Sequence, residues 1–301
     1  MKPGALIAGA DRAIVRLSTG EYLVIDTNSV DSINYLIGRP VEPHISFVFR
    51  CFLHRQAVVL DIGANVGLYT AITAGVIRTR GRLYAFEGNP HTFALLNRTL
   101  YANGVINNPN ITIVNKLVSR STGRGRLNYL DHNLATATMS ELSIDAADLK
   151  RWDMELRSIE VDMTTIDDFL ADDLPVDLVK IDVEGHEPYV LMGMERTIER
   201  SPSIRIIIEY IDDLLADTVS PAEFAKYING LGFDICEIGK DWRLRLCKPG
   251  ARIPGNTYLL LTRTPDRDIR TVARRRCFPR AGLKRFLQRA SVGIGELGHR
   301  L

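Results

Sequence analysis

The chain has 301 residues, 46% hydrophobic and 25% charged, with a formal net charge of +2. That composition can bury a full core, and it argues against a fibrous, wholly disordered or membrane-spanning protein, since no apolar run approaches the length of a bilayer crossing. The small net charge conceals an asymmetry: residues 263–301 hold 11 Lys or Arg against 3 Asp or Glu, which leaves the rest of the chain at −6.

In chain order, the first apolar run, ALIAGA, is cut off by Asp11 and Arg12 and is too short for a secretory signal. AIVRL (13–17) and YLVID (22–26) flank the turn residues Ser18, Thr19 and Gly20, which predicts a β-hairpin within an N-terminal extension, residues 1–56. Strand-like runs then alternate with helix-like segments. The runs are VVLDI (58–62), LYAFE (83–87), ITIVN (111–115), VDLVKID (176–182) and IRIIIEY ending at Tyr210. Helices are expected over 67–77, over 91–103 with Phe93, Leu96 and Leu100 on one face, and over 187–198. This alternation argues for an α/β fold with a parallel sheet covered by helices. Residues 120–160 read as irregular, a candidate flap over the site. Ser220 is an expected N-cap and Gly230 or Gly232 a stop; FDICEIG and NTYLLLTR follow as strands with no helix between them, so they should pair antiparallel. The boundaries this implies are 57–263 for the main domain and 264–301 for a basic tail. Cys51, Cys236, Cys247 and Cys277 show no CxxC spacing, which favours a reducing, cytoplasmic setting over a zinc cluster or a disulfide framework.

Two constellations carry chemistry. In VVLDIGANVGLYTAI, Asp61, Gly63, Asn65 and Gly67 stand where an apolar strand turns into a helix, and Glu87 ends the next strand. A carboxylate there can take both ribose hydroxyls of an adenosine. A nicotinamide site would present G-x-G-x-x-G; the arrangement here, acid first, is closer to the turn of Rossmann-like methyltransferases, where Asp61 would serve as counter-charge or water-mediated partner of a cationic amino acid tail. In VKIDVEGHEPYVLMGM, Asp182, Glu184, His186 and Glu187 stand at the carboxyl end of a buried strand, where they should perturb one another's pKa values. The plain alternative is that Asp182 and Glu187 cap the following helix and His186 is a solvated loop residue.

DIGANVG, AFEGNP and KIDVEGHE in this order resemble the FkbM family of S-adenosylmethionine-dependent methyltransferases over roughly residues 57–211. The resemblance implies a Rossmann-like class I methyltransferase fold, a mostly parallel seven-stranded sheet with helices on both faces, and O-methylation of a sugar, glycolipid or natural-product hydroxyl. It implies a cofactor turn of Asp61, Gly63, Asn65 and Gly67, ribose binding by Glu87, and an acidic block of Asp182, Glu184 and His186 beside the methyl group. The adenine pocket would come from Leu117 to Ser119.

For O-methylation, His186 or one of Asp182 and Glu184 would remove the acceptor's proton. A second scheme has a divalent metal on Asp182, Glu184 and Glu209 lower the acceptor's pKa; it ranks behind the metal-free one, because strand-end carboxylates need not meet in coordination geometry. From other classes, RTVARRRCFPRAGLKRFLQRA could form a basic amphipathic helix on an anionic membrane surface, or the chain could bind nucleic acid on a non-catalytic core; the region around Asp182 lacks the basic residues and the Asn or Asp followed by two prolines that RNA methylation would favour. A NAD-dependent oxidoreductase is the enzymatic alternative. Tyr35, Tyr69 and Trp152 are candidate sugar-stacking groups.

Overall fold

A computed structural model describes residues 4–277 apart from 8, 10, 140–148, 150, 152–153, 171–173, 216–218, 249, 251–252 and 254. Trp152 and the 278–301 part of the basic tail lie outside the described residues. The central sheet has eight strands: β4 (Val58–Ile62), β5 (Arg82–Phe86), β6 (Ile111–Val114), β11 (Leu178–Ile181), β12 (Arg205–Tyr210), β13 (Asp234–Ile238), β14 (Leu244–Leu246) and β15 (Thr257–Thr262), in the order β14-β13-β15-β12-β11-β4-β5-β6. β4, β5, β6, β11 and β12 pair in parallel, while β15 inserts antiparallel between β12 and β13. The eighth strand, one more than expected, arises where the chain turns back at Gly239–Arg243 and lays the short β14 along β13.

Both faces of the sheet are buried, which is why its strands read as continuous apolar runs. Leu60, Val179, Ile206 and Leu259 face one core, and Val59, Leu178, Ile207 and Leu260 the other. From β4 the chain winds outward through β5 to β6, then returns to place β11 on the other side of β4. The loops after β4 and β11 therefore diverge, leaving a crevice at the carboxyl edge of the sheet.

The helices Leu68–Ile77 and Pro90–Ala102 match expectation to within a residue. Ser220 caps the helix Pro221–Gly230 through a reciprocal box with Glu223. The helix expected over 187–198 is instead two, Glu187–Met192 and Glu195–Glu199. The break falls at Gly193, whose backbone is pressed on the Ser119 carbonyl so closely that a Cβ would lie 2.1 Å from the oxygen.

The described parts of 120–160 are also more regular than the sequence implied. β8 (Gly123–Leu130), β9 (Asn133–Thr138) and β10 (Leu156–Thr164) join β7 (Leu117–Val118) in a four-stranded sheet. Most of β10 is exposed, so it lacks the apolar alternation by which a strand is recognised.

The N-terminal hairpin is β2 (Arg12–Arg16) and β3 (Tyr22–Asp26), extended by β1 (Gly4–Ile7). It docks on Pro90–Ala102, where the Val24 N–H donates to Thr99 Oγ1 at 2.9 Å. The helix Pro43–Phe52 sinks Val48, Phe49 and Cys51 into the core, which brings the residue before it, Glu42, to the crevice. At the other end, the helix Pro265–Cys277 is tied to β12 by Asp268, 1% exposed, which accepts two 2.8 Å hydrogen bonds from Arg205. Arg274, Arg275 and Arg276 are exposed in its last turn, where positive charge offsets the helix dipole. Cys51, Cys236 and Cys247 are free thiols.

Candidate active site

The turn after β4 is held by close backbone contact. Gly63 has φ +77°, and a Cβ there would lie 1.8 Å from the Asp182 carbonyl oxygen; Gly67 has φ +95° and lies against Leu96. Asn65, a non-glycine residue at φ +49°, donates its N–H to Glu87 Oε2 at 2.9 Å, while Glu87 Oε1 accepts the Asn89 N–H at 2.8 Å. Two backbone donors thus fix a carboxyl group that is 8% exposed and faces a cavity of about 220 Å³. Gly63, Asn65, Glu87, Asp182, Glu184, His186 and Glu209 all line that cavity. Asp61 does not line it. It is buried behind the turn, with Oδ2 accepting from Thr70 Oγ1 at 2.5 Å and Oδ1 without a partner among the described residues.

Ser119 was expected at the adenine pocket, but it too stands back from the cavity, whose wall there is Leu117 and Val118. Its hydroxyl lies 2.9 Å from His186 Nε2, and the imidazole packs on Tyr189 with ring centroids 4.8 Å apart. His186 is 8% exposed rather than solvated. Burial, with the Arg120 charge adding to it, lowers its pKa to about 4, so the ring is neutral at ordinary pH. Glu187 faces back into its own loop, accepting the Val183 N–H at 3.0 Å. Neither Asp182 nor Glu187 forms the side-chain cap of the helix Glu187–Met192.

Behind the acidic block is a charged network that sequence reading missed in large part. Lys180, 1% exposed in the middle of β11, donates to Asp182 Oδ2 at 2.8 Å. Tyr258 donates to the same oxygen at 3.0 Å and also to Glu42 Oε1, while Tyr69 donates to Glu42 Oε2 at 3.1 Å. Glu209 hydrogen-bonds Asp182. The metal-ligand set expected from the sequence, Asp182, Glu184 and Glu209, is corrected here: the carboxylates that converge are Glu42, Asp182 and Glu209, with ligand atoms within 4.8 Å of one another. Glu42 stands in the place expected of Glu184, which is not among the three groups that converge. Nothing near Glu42 in sequence marks it. Lys180 did carry a signal, because a lysine inside a buried apolar strand demands a partner.

Burial raises most of these carboxyl groups: Asp61 to about 6, Glu87 and Glu187 to about 7, and Glu184 to about 8, the last helped by the negative charges of Asp182 and Glu187. Glu209 is raised by burial and by Asp182. Burial acts on Asp182 in the same sense, but Lys180 and the hydrogen bonds around it outweigh that and hold it below the usual carboxylate range. Raised acids bind protons in the native state that the unfolded chain has already lost, so their stabilisation is present at low pH and disappears as pH rises through the folded pKa values. The depressed His186 and His44 act oppositely, but only up to about pH 6.5, above which the unfolded imidazoles are neutral too. The ligand-free protein is therefore expected to lose about 5 °C of melting temperature between about pH 6.5 and 8.5. Calorimetric scans across that range check this, and a melting temperature that rises with pH contradicts it.

The methyltransferase FkbM domain model matches residues 61–235. The hexuronic acid methyltransferase AglP of Haloferax volcanii is 25% identical over 188 residues, which is 61% of this chain and 67% of the relative. Among solved structures, the chain resembles a methyltransferase FkbM from Methylobacillus flagellatus (19% identity, TM-score 0.44, covering 69% of this chain), of whose length it spans 44%. It also resembles an SAM-dependent O-methyltransferase from Thermotoga maritima (15% identity, TM-score 0.41, covering 82% of this chain and 76% of that one). The family match takes in both motifs, from Asp61 through the Asp182–Glu187 block, and takes the place of the dehydrogenase alternative. The chain belongs to the FkbM family of S-adenosylmethionine-dependent methyltransferases.

Proposed function

We propose that the chain moves the methyl group of S-adenosylmethionine to a hydroxyl oxygen on a sugar or a similarly hydroxylated small molecule. The cavity suits the cofactor. Glu87 presents a fixed carboxyl group to a ribose diol, and Phe86, Leu117 and Val118 offer apolar walls to a base. Asp61 Oδ1, which has no partner among the described residues, gives a buried acceptor for a water bridging to the amino group. When bound, the cofactor supplies an electrophilic methyl group that needs no further activation.

The protein's task is then to orient the acceptor and remove its proton. The observation that carries the oxygen reading is Glu184. It lines the cavity, its side chain has no hydrogen-bond partner among the described residues, and it titrates near 8. A carboxylate of that basicity is matched to proton removal at ordinary pH. His186 is a weaker base and its Nε2 is engaged by Ser119. Thr138 Oγ1 donates to the Glu184 carbonyl at 2.7 Å and so ties the β8–β9 sheet over the site. Tyr35 and Tyr69 line the same cavity as surfaces for a sugar ring. The relative that methylates hexuronic acid supports a sugar acceptor.

Incubation with S-adenosylmethionine and a panel of free and glycosidic sugars, uronic acids included, tests this reading. The expected product is an O-methyl ether, formed at the same rate with and without a chelator. Methyl transfer to nitrogen or carbon, or no turnover of any hydroxylated acceptor by protein that binds the cofactor, sinks it.

A further inference from the structure

The carboxylates of Glu42, Asp182 and Glu209 converge as cation ligands do. Oxygens around a magnesium- or calcium-sized ion sit about 2.0–2.6 Å from it and hence up to about 4–5 Å apart, and the three groups here lie within 4.8 Å of one another. A cation already stands beside that space, paired with Asp182, and its charge also acts on Glu42 and Glu209. The Lys180 ammonium is 2.8 Å from Asp182 Oδ2 and lies 4.5 Å and 5.1 Å from the ring centroids of Tyr258 and Tyr69, whose faces attract positive charge. We infer that Lys180 is a built-in counterion, standing beside the point where a divalent metal would otherwise bind these three carboxylates and keeping such a metal out by its charge.

Position in the fold makes this counterion permanent. Lys180 stands opposite Asp61 of β4 and Ile207 of β12, in the middle of the parallel sheet, so its backbone is fixed by the central strands and its side chain, 1% exposed, is enclosed by the core. Glu42 is held over it from the N-terminal side in a left-handed conformation, φ +41°, that a non-glycine residue adopts only under constraint. Tyr69 and Tyr258 bind both of its oxygens. For its consequence the inference rests on the methyl-transfer reading: Asp182 stays negative beside Glu184, and Glu184 acts on the acceptor without Lewis-acid help.

Manganese(II) alone is the probe, titrated by electron paramagnetic resonance into full-length wild type, Lys180→Met, Lys180→Arg and the Lys180→Met/Glu42→Gln double variant. Wild type and Lys180→Arg should show no site at millimolar metal. Lys180→Met should bind one ion with a Kd of about 0.1–1 mM, in the range of weak all-oxygen sites, and the added Glu42→Gln should weaken it at least about tenfold. Should Lys180→Met fail to fold in metal-free buffer, refolding with and without manganese decides: recovery only with the metal supports the inference, and failure in both overturns it. A manganese site in wild type, or folded Lys180→Met with no site, also overturns it. S-adenosylmethionine titrated into the same wild-type protein reports separately on the methyl-transfer reading, which can fail while the manganese result stands.

Discussion

Glu87→Ala will weaken S-adenosylmethionine binding by at least about 100-fold, which corresponds to about 2.7 kcal/mol. Hydrogen bonds to a charged group contribute about 1.5–3 kcal/mol each, and the two ribose hydroxyls would make two of them. The alanine also strands the Asn65 and Asn89 N–H groups, which now end on the two carboxyl oxygens. That loss loosens the turn that faces the cavity. Because burial raises the Glu87 pKa to about 7 and the hydroxyls donate to the ionised form, wild-type affinity should increase from pH 6 to pH 8 and the alanine variant should lose that slope. Titration calorimetry at the two pH values measures both effects. An unchanged Kd in folded Glu87→Ala removes Glu87 from the cofactor site.

That this residue could be found without a structure follows from local signals. β4 and β5 are buried on both faces, so their apolar runs end sharply where the chain enters the crevice, and a carboxylate at such an edge is conspicuous. Gly63 and Gly67 were legible for the same reason, since the strand-to-helix turn needs the positive φ that glycine supplies. Glu42 was not legible. It is 140 residues from Asp182 in sequence and reaches it only because the helix Pro43–Phe52 packs beneath the sheet. Tyr258 is similar: it reads as an apolar residue of an antiparallel strand, and only the insertion of β15 beside β12 brings its hydroxyl to Asp182. The error over residues 120–160 has another cause. β8 and β10 stabilise each other through cross-strand pairs of mostly exposed polar side chains, such as Asn128 with Ser158 and Arg124 with Glu160, so no hydrophobic period announces them.

Glu184→Gln tests the base directly, with the acceptor that the sugar panel provides. The amide keeps the size of the side chain and cannot take a proton, so kcat should fall by about 10²–10⁴ while cofactor affinity stays within about twofold, as expected for a group that acts only in the transition state. The pH profile separates this from a structural effect. In wild type the reactive form is the ionised carboxylate, so kcat should climb as pH rises through about 8 and then level off; in the variant that limb should vanish. His186→Ala provides the contrast. With its pKa near 4 and Nε2 turned to Ser119, the imidazole contributes packing on Tyr189 and a neutral hydrogen bond, so its removal should reduce the rate less than Glu184→Gln and leave the limb near 8 in place. If that limb instead disappears in His186→Ala and persists in Glu184→Gln, the proton goes to the histidine, and the depressed pKa of the ligand-free site must rise once acceptor and cofactor close over it.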